Sequence, residues 1–314
     1  SACLVGSEMC IRDSSISAVL EQFYASRSLY TRMRQKSVDL RKIVSTHLER
    51  SSKKLDLQLK QLKDTEKRDK FKVYGELLNT YGYQVTEGAK SVEVPNYYTG
   101  EMLTIPLDET LSPLDNAKKY FARYNKLKRT FEALNTQTEE TKTEIAHLQT
   151  IQAALAIAES EDDLAQIRDE LETYGYIRRK MNGKKKQKFK SKPFHYRSSD
   201  GFDIYVGKNN FQNDELTFKV ANGNDWWFHA KGMPGSHVIV KTEGRELPDR
   251  TFEEAGRLAG YYSSGRDNEK IEIDYLQRKN VKKPNGAVAG YVIYYTNYSL
   301  TIHPDISGIE KISE

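Results

Sequence analysis

The chain has 314 residues, 38% hydrophobic and 30% charged, with a formal net charge of +5. It is long enough for two domains but too polar for one compact globule, so an elongated part is expected. No run of about 18 apolar residues occurs, which excludes a membrane span, and no signal peptide is visible, so a cytoplasmic protein is expected. Only Cys3 and Cys10 are present, which excludes a disulfide framework and a thiolate zinc site.

Residues 1–14 have no hydrophobic period and read as a non-native or disordered segment. From Ile16 a helical stripe sets in, formed by Leu20, Phe23, Met33, Leu40, Val44, Leu48, Leu55, Leu59 and Leu62. Neither Pro nor Gly interrupts it before Gly75, which predicts a helix of roughly fifty residues, about 75 Å long. Two short strands, 91–98 and 102–107, flank Thr99-Gly100 and make a small β module at about 75–111. A second long helix starts with Ser112 as N-cap, Pro113 in the first turn and Asp115 at the third position. Its seam runs through Tyr124, Leu127, Phe131, Leu134, Thr138, Thr141, Ile145, Leu148, Gln152 and Leu155 in alternating steps of three and four, a coiled-coil pattern. With only the module between the two seams, antiparallel pairing is expected.

Ser160 and Asp163 cap a further helix that Gly175 ends, which closes a coiled-coil arm at 15–177. Nine Lys or Arg and no acidic residue then lie between Arg178 and Lys192, while the rest of the chain carries a slight excess of acid. The positive charge is therefore a local footprint, and this linker, with Lys184, Lys185 and Lys186 at its centre, is either a phosphate contact or a soluble tether. Strands at 194–197, 202–206, 226–230, 236–241, 270–276, 290–295 and 299–303, with a helix from a Thr251/Glu254 capping box to about Ser263, make 193–307 a mixed domain, followed by a tail at 308–314. The fold class is α+β, with the helical arm preceding the mixed domain.

Three stretches carry binding chemistry. Lys118, Lys119, Arg123, Lys126 and Lys128 form an acid-free basic run threaded with Tyr120, Phe121 and Tyr124. It can hold phosphates and stack bases, or be a solvated face whose aromatics turn to the coil. Gly207-Lys208-Asn209-Asn210 places an ammonium and two amides at a strand-to-helix corner suited to phosphate or sugar. The strand Asp225 to Lys231, the Pro234-Gly235 turn and the strand from Ser236 make a hairpin expected to gather Asp225, His229, Lys231, Ser236 and His237. One of Trp226 and Trp227 should pack in the core and the other offer a stacking surface, and Trp227 is counted with the binding residues. Two histidines and one aspartate fall short of a metal ligand set, and no nucleophile is identifiable, so a recognition surface is expected, with no catalytic residue, metal or cofactor. The alternative is a nucleic-acid-processing enzyme using His229, His237 and Asp225.

These blocks also carry a resemblance. Gly207-Lys208-Asn209-Asn210 with Gln212-Asn213-Asp214, then Asp225 with Trp227-Phe228-His229-Ala230-Lys231, then Pro234-Gly235-Ser236-His237-Val238, resemble the NFACT-R domain of the ribosome-associated quality-control factors. In the arm, Gly75-Glu76-Leu77-Leu78, Val94-Pro95-Asn96-Tyr97-Tyr98 and Asn116-Ala117-Lys118-Lys119-Tyr120-Phe121 are similar to the family's coiled-coil and middle segments. The resemblance spans about 16–305 and the carboxy-terminal half of a member. Val288-Ala289 stand where many members have Lys-Pro, so a basic contact there is not carried over. The resemblance implies a bacterial factor that binds large ribosomal subunits obstructed by a nascent chain, rRNA, tRNA and peptidyl-tRNA-bearing stalled complexes included. It implies recruitment of alanyl-tRNA for alanine tailing of the stalled chain, with no chemistry of its own. Some members are labelled fibronectin-binding proteins, which leaves a surface adhesin as another alternative.

Overall fold

The structure, a computed structural model, describes residues 16–86, 88–178 and 191–312, apart from the side chains of residues 16–30, 32 and 34. Residues 1–15 and 179–190, with Lys184, Lys185 and Lys186, lie outside the described residues, as do the side chains of Leu20 and Phe23. The chain is mixed α+β, with long helices and antiparallel sheets, and divides into two compact units: residues 1–48 with 146–314, and residues 49–145. No described helix is long and apolar enough to cross a membrane.

Helix α1 (Ile16–Thr65) is followed after a short turn by α2 (Arg68–Tyr81). The stripe therefore stops ten residues before Gly75, where Glu66 N–H and the Thr65 hydroxyl donate to the carbonyls of Lys63 and Leu62. Gly75 sits inside α2, and a Cβ there would meet the Phe121 ring at 2.8 Å. Its smallness serves close packing and does not end the helix.

In the unit 49–145, strands β1 (Ser91–Pro95) and β2 (Met102–Pro106) form an antiparallel hairpin. The first strand ends earlier than its composition predicts, because the Asn96 side chain accepts from Tyr98 N–H and its carbonyl from Gly100, whose φ of 75° suits glycine. Helix α3 (Pro113–Ile157) starts as expected, with the Ser112 hydroxyl accepting from Asp115 N–H. Tyr74, Leu77, Leu78, Val94, Ile105 and Ala117 form this unit's core. Arg68 lies 3.9 Å over the Phe131 ring, and Arg123 4.3 Å over Phe71.

In the other unit, α4 (Glu161–Thr173) carries the expected Ser160/Asp163 capping box. Leu40 and Val44 of α1 share a core with Leu148, Ile151 and Leu155 of α3 and Leu164, Ile167 and Leu171 of α4. The α3 seam differs from the predicted one at one step: Ile151 is buried and Gln152 exposed, so the apolar side chain takes the inward position.

The sheet of this unit has seven antiparallel strands in the order β8-β7-β5-β6-β4-β3-β9. They are β3 (Phe194–Arg197), β4 (Asp203–Val206), β5 (Trp226–Ala230), β6 (Val238–Val240), β7 (Ile271–Gln277), β8 (Tyr298–Ile302) and β9 (Glu310–Lys311). A short helix α5 (Asn210–Glu215) and a wider helical turn, Leu216–Val220, follow β4, and α6 (Asp249–Tyr261) follows β6. Helix α6 covers one face, over Phe228, Val238, Val240 and Ile273; Leu216, Trp227, Ile239, Leu276 and Val281 fill the other. Three predicted features differ. Within the segment expected to be a tail, Glu310–Lys311 form β9, which pairs with β3. Residues 290–295 form no strand, only a bridge from Ile293 to Lys282. Helix α6 starts after Pro248, whose ring has no atom to cap it, so Thr251 lies inside the helix; Thr251 is engaged with Asp200 and Glu254 with Ser199, tying the helix to the β3–β4 turn.

Candidate nucleic-acid interface

The Gly207–Asn210 corner forms as its residue types require, since β4 ends at Val206 and the Asn209 side chain caps α5 by accepting from Gln212 N–H at 3.0 Å. Its polar groups, however, face inward. Asn209 Nδ2 donates to Gln166 Oε1 at 2.5 Å, and Asn210 Nδ2 to Glu170 Oε1 at 2.7 Å and Thr150 Oγ1 at 2.8 Å. Gln212 Nε2 reaches Gln166 and Ser191, both at 2.8 Å. Lys208 Nζ lies 3.4 Å from Asp163 Oδ1 and 4.5 Å over the Phe194 ring. Burial pushes the Asp163 carboxyl up, but the Ser191 hydroxyl, the Lys208 ammonium and hydrogen bonds at the α4 N-terminus outweigh it and hold the group below the usual range. Glu170, fully buried, also receives His147 Nε2 at 3.0 Å. The corner is thus a polar joint between the sheet and helices α3 and α4.

This corrects the reading of Asn209 and Asn210 as an open surface: both are buried, with their amides spent on helix partners. Gly207 fits the same joint, because a Cβ there would collide with the Asn213 side chain, whose Oδ1 accepts from His237 N–H at 3.0 Å. The helical partners Thr150, Asp163, Gln166 and Glu170 carry no sign of a site in the sequence. Their only sequence signal is the Ser160/Asp163 cap, which announces a helix start and not a partner.

The hairpin pairs β5 with β6 as predicted, Trp226 opposite Val240 and Phe228 opposite Val238. It does not gather all five expected side chains. Asp225 is buried at the start of β5, where it accepts from Lys241 Nζ at 2.5 Å, Asn222 N–H at 2.7 Å and Thr242 N–H at 3.0 Å. Burial raises its pKa, and these donors more than reverse the effect, leaving the carboxyl below the usual range. His229 is four residues along, about 13 Å at roughly 3.3 Å per residue. Its ring stacks on Trp227 at 5.6 Å and meets His237 edge-on at 5.6 Å. Burial holds both imidazoles neutral: His229 is pushed down to about 4, and His237, with His229 beside it, well below its ordinary value. His237 Nδ1 is spent on Thr217 Oγ1 at 2.8 Å.

Ser236 is buried beside α6, its N–H donating to Tyr262 O at 3.0 Å, whereas Lys231 is exposed and 3.2 Å from Glu272. Trp227 is wholly buried, so of the two tryptophans it is the core residue and offers no stacking face. Trp226 is the half-buried one. Among the described residues, no group of three or more His, Cys, Asp or Glu side chains could hold a metal ion.

In the other unit, the basic run lies along α3 with Lys118, Lys119, Arg123, Lys126 and Lys128 all exposed. Lys118 pairs with Asp115 at 2.9 Å and Lys119 with Asp108 at 2.8 Å. Tyr120 stacks on Phe71 at 6.0 Å, and Phe121 packs on Gly75, so these aromatics serve the core while the cations face solvent.

Residues 8–190 match the family described as NFACT N-terminal and middle domains, and residues 192–294 match the NFACT protein RNA binding domain. Similar curated proteins include the Rqc2 homolog RqcH of Streptococcus suis (strain 05ZYH33), 39% identical over 299 residues, covering 95% of this chain and 53% of that protein. The Rqc2 homolog RqcH of Bacillus subtilis (strain 168) is 35% identical over 307 residues, covering 96% of this chain and 53% of its own length. The chain therefore spans about half the length of the curated relatives it matches. A solved structure, the C-terminal of the fibronectin/fibrinogen-binding protein from Streptococcus suis, superposes with a TM-score of 0.71 at 34% identity, covering 90% of this chain and 100% of that one.

Proposed function

Because the chain belongs to the NFACT family, we propose that it is an RNA- and ribosome-binding factor of ribosome-associated quality control, acting on large ribosomal subunits obstructed by a nascent chain. The observation that carries this reading is the consecutive match of the NFACT N-terminal and middle family model and the RNA-binding domain along one chain, alongside relatives bearing the name Rqc2 homolog RqcH. In the whole protein, the proposed role includes recruiting alanyl-tRNA for alanine tailing, with the subunit supplying the peptidyl transfer, in the cytoplasm. Within this chain the proposed contacts are electrostatic: the exposed α3 cations and the basic linker toward rRNA or tRNA phosphates, and Lys231 at the end of β5.

The geometry favours a binding factor over the enzyme alternative. Asp225 spends its oxygens on Lys241 and backbone N–H groups at the far end of β5 from the histidines, so no acid, base and nucleophile converge there. The name of the Streptococcus suis fragment favours a second reading, adhesion to fibronectin. Retention of the purified chain on immobilised fibronectin, with no binding to ribosomal subunits, would select it.

Co-sedimentation with purified large subunits tests the main reading. Binding is expected to weaken with salt, since each Lys or Arg that neutralises a phosphate adds about 0.7–0.9 to the slope of log affinity against log salt. Replacing Lys184, Lys185 and Lys186 together by alanine should flatten that slope by up to about two units. An unchanged slope would reduce the linker to a tether.

The same proposal includes an antiparallel coiled-coil arm with the β1–β2 module at its tip. Support comes from each unit separately: Val44 shares a core with Ile151 in one, and Arg68 lies on Phe131 in the other. With Cys3 and Cys10 replaced by serine, Val44→Cys with Ile151→Cys should cross-link within one chain. Cross-linked dimers in place of the intramolecular product would reject the antiparallel pairing.

A further inference from the structure

On the α6 side of the sheet, beside the first turn of that helix, a cleft of about 490 Å³ opens between β5 and the loop that follows β6. Its lining includes Asn224, Trp226, Arg245, Glu246, Phe252 and Gln277, and its volume falls in the roughly 300–1,000 Å³ range of small-ligand clefts. The Phe252 ring stands edge-on to Trp226 at 4.8 Å and 80°. From Trp226 an aromatic row crosses the sheet: Tyr275 lies 5.8 Å away on β7, and Tyr298 of β8 stacks on Tyr275 at 5.5 Å and 29°. The row climbs from half-buried to open, since Tyr298 is 64% exposed at the edge of the sheet. An exposed ring that continues a row of stacked rings offers a face on which a further flat group can lie.

The rim narrows the occupant. Two side-chain amides, Asn224 and Gln277, stand with one guanidinium, Arg245, and one carboxylate, Glu246. The Arg245 guanidinium carbon lies 4.0 Å over the Phe202 ring. These groups donate and accept hydrogen bonds around an aromatic floor, and their charges balance. Such a rim suits a flat, neutral, hydrogen-bonding group better than a bare phosphate. Lys279 is exposed on the turn whose N–H donates to Gly223 O at 3.0 Å, one residue from Asn224, where it can meet a phosphate of the same strand.

We infer that this cleft takes one unstacked base of single-stranded RNA, laid on Trp226 and read along its edge by Asn224, Gln277, Arg245 and Glu246, with a neighbouring base on Tyr298. The inference rests on the RNA-binding reading above and gives it a surface, one that replaces the buried Trp227 and corner amides as the stacking and edge-reading site.

The test titrates the full chain with a labelled decaadenylate RNA and with the same oligomer carrying abasic positions, following anisotropy and tryptophan fluorescence. Decaadenylate should bind and quench the Trp226 emission. Trp226→Ala and Tyr298→Ala should each weaken its binding by about 5- to 150-fold, the range set by roughly 1–3 kcal/mol of stacking per base, and leave the weaker binding of the abasic oligomer unchanged. Tyr298 is exposed enough that its variant keeps the fold and secures the result if Trp226→Ala does not. Unchanged decaadenylate affinity in the folded variants overturns the inference and leaves RNA binding intact. Loss of subunit binding with decaadenylate affinity retained also overturns it, pointing to a protein side chain as the occupant. A wild-type chain that binds subunits but not decaadenylate overturns the inference alone; one that binds neither removes the RNA reading as well.

Discussion

Replacing Asp225 by alanine is expected to lower the stability of the sheet-bearing unit by about 3–5 kcal/mol, the range for removing one partner of a buried ion pair. Asp225 and Lys241 are both largely enclosed, and the carboxylate also satisfies the backbone N–H groups of Asn222 and Thr242. Alanine would leave the Lys241 ammonium with only the Val220 carbonyl and the buried Thr242 N–H without its acceptor, a penalty that the gain of a small apolar side chain cannot offset. Both tryptophans lie on β5 beside this residue, so their fluorescence during urea unfolding reports on the unit concerned. A loss below about 1 kcal/mol would mean that the pair is solvated and that Asp225 is free for a partner.

Acid is expected to weaken the same transition between pH 6.5 and about 4, a fall that begins above the range in which carboxylates titrate. The folded pKa of His229 is depressed to about 4, so its contribution is complete above the unfolded value of about 6.5 and is lost as pH falls through the folded one. At about 1.4 kcal/mol per pH unit this amounts to about 3 kcal/mol, and His237, displaced in the same direction, adds to it. Asp163 and Asp225 are depressed carboxylates, whose contributions are complete above about 3.9 and lost only below it, so the two windows separate. Urea midpoints at pH 7.5, 6.5, 5.5 and 4.5 should fall for the wild type and fall less steeply in His229→Gln, where only His237 remains. A wild-type profile that stays level down to pH 5 would show that the imidazoles are reached by water.

Local chemistry was legible in the sequence, and the choice of partners was not. The Ser112 and Ser160 caps, the β5–β6 hairpin and the turn into α5 all follow from residue types within a few positions. Asn209 and Asn210 look the same in sequence whether they await a phosphate or a glutamate. What decides is Gln166 and Glu170, forty or more positions earlier on another helix. Likewise, strand alternation puts Trp226 and Trp227 on opposite faces but cannot say which face stays open when both are covered. Gly75 misled because a glycine needed for contact with Phe121 reads like a glycine that stops a helix.

The pairing of β9 with β3 has a consequence for the order in which the chain is made. Phe194–Arg197 is the first strand of the large sheet to be synthesised, yet one of its neighbours, Glu310–Lys311, comes more than a hundred residues later. Throughout that interval the outer side of β3 has no strand to cover it, so the backbone groups of Tyr196 and Arg197 stay open to chance pairing. The helices that hold the Lys208–Asn210 corner have by then already been made, which lets the joint form early and leaves the far edge of the sheet as the last part to close.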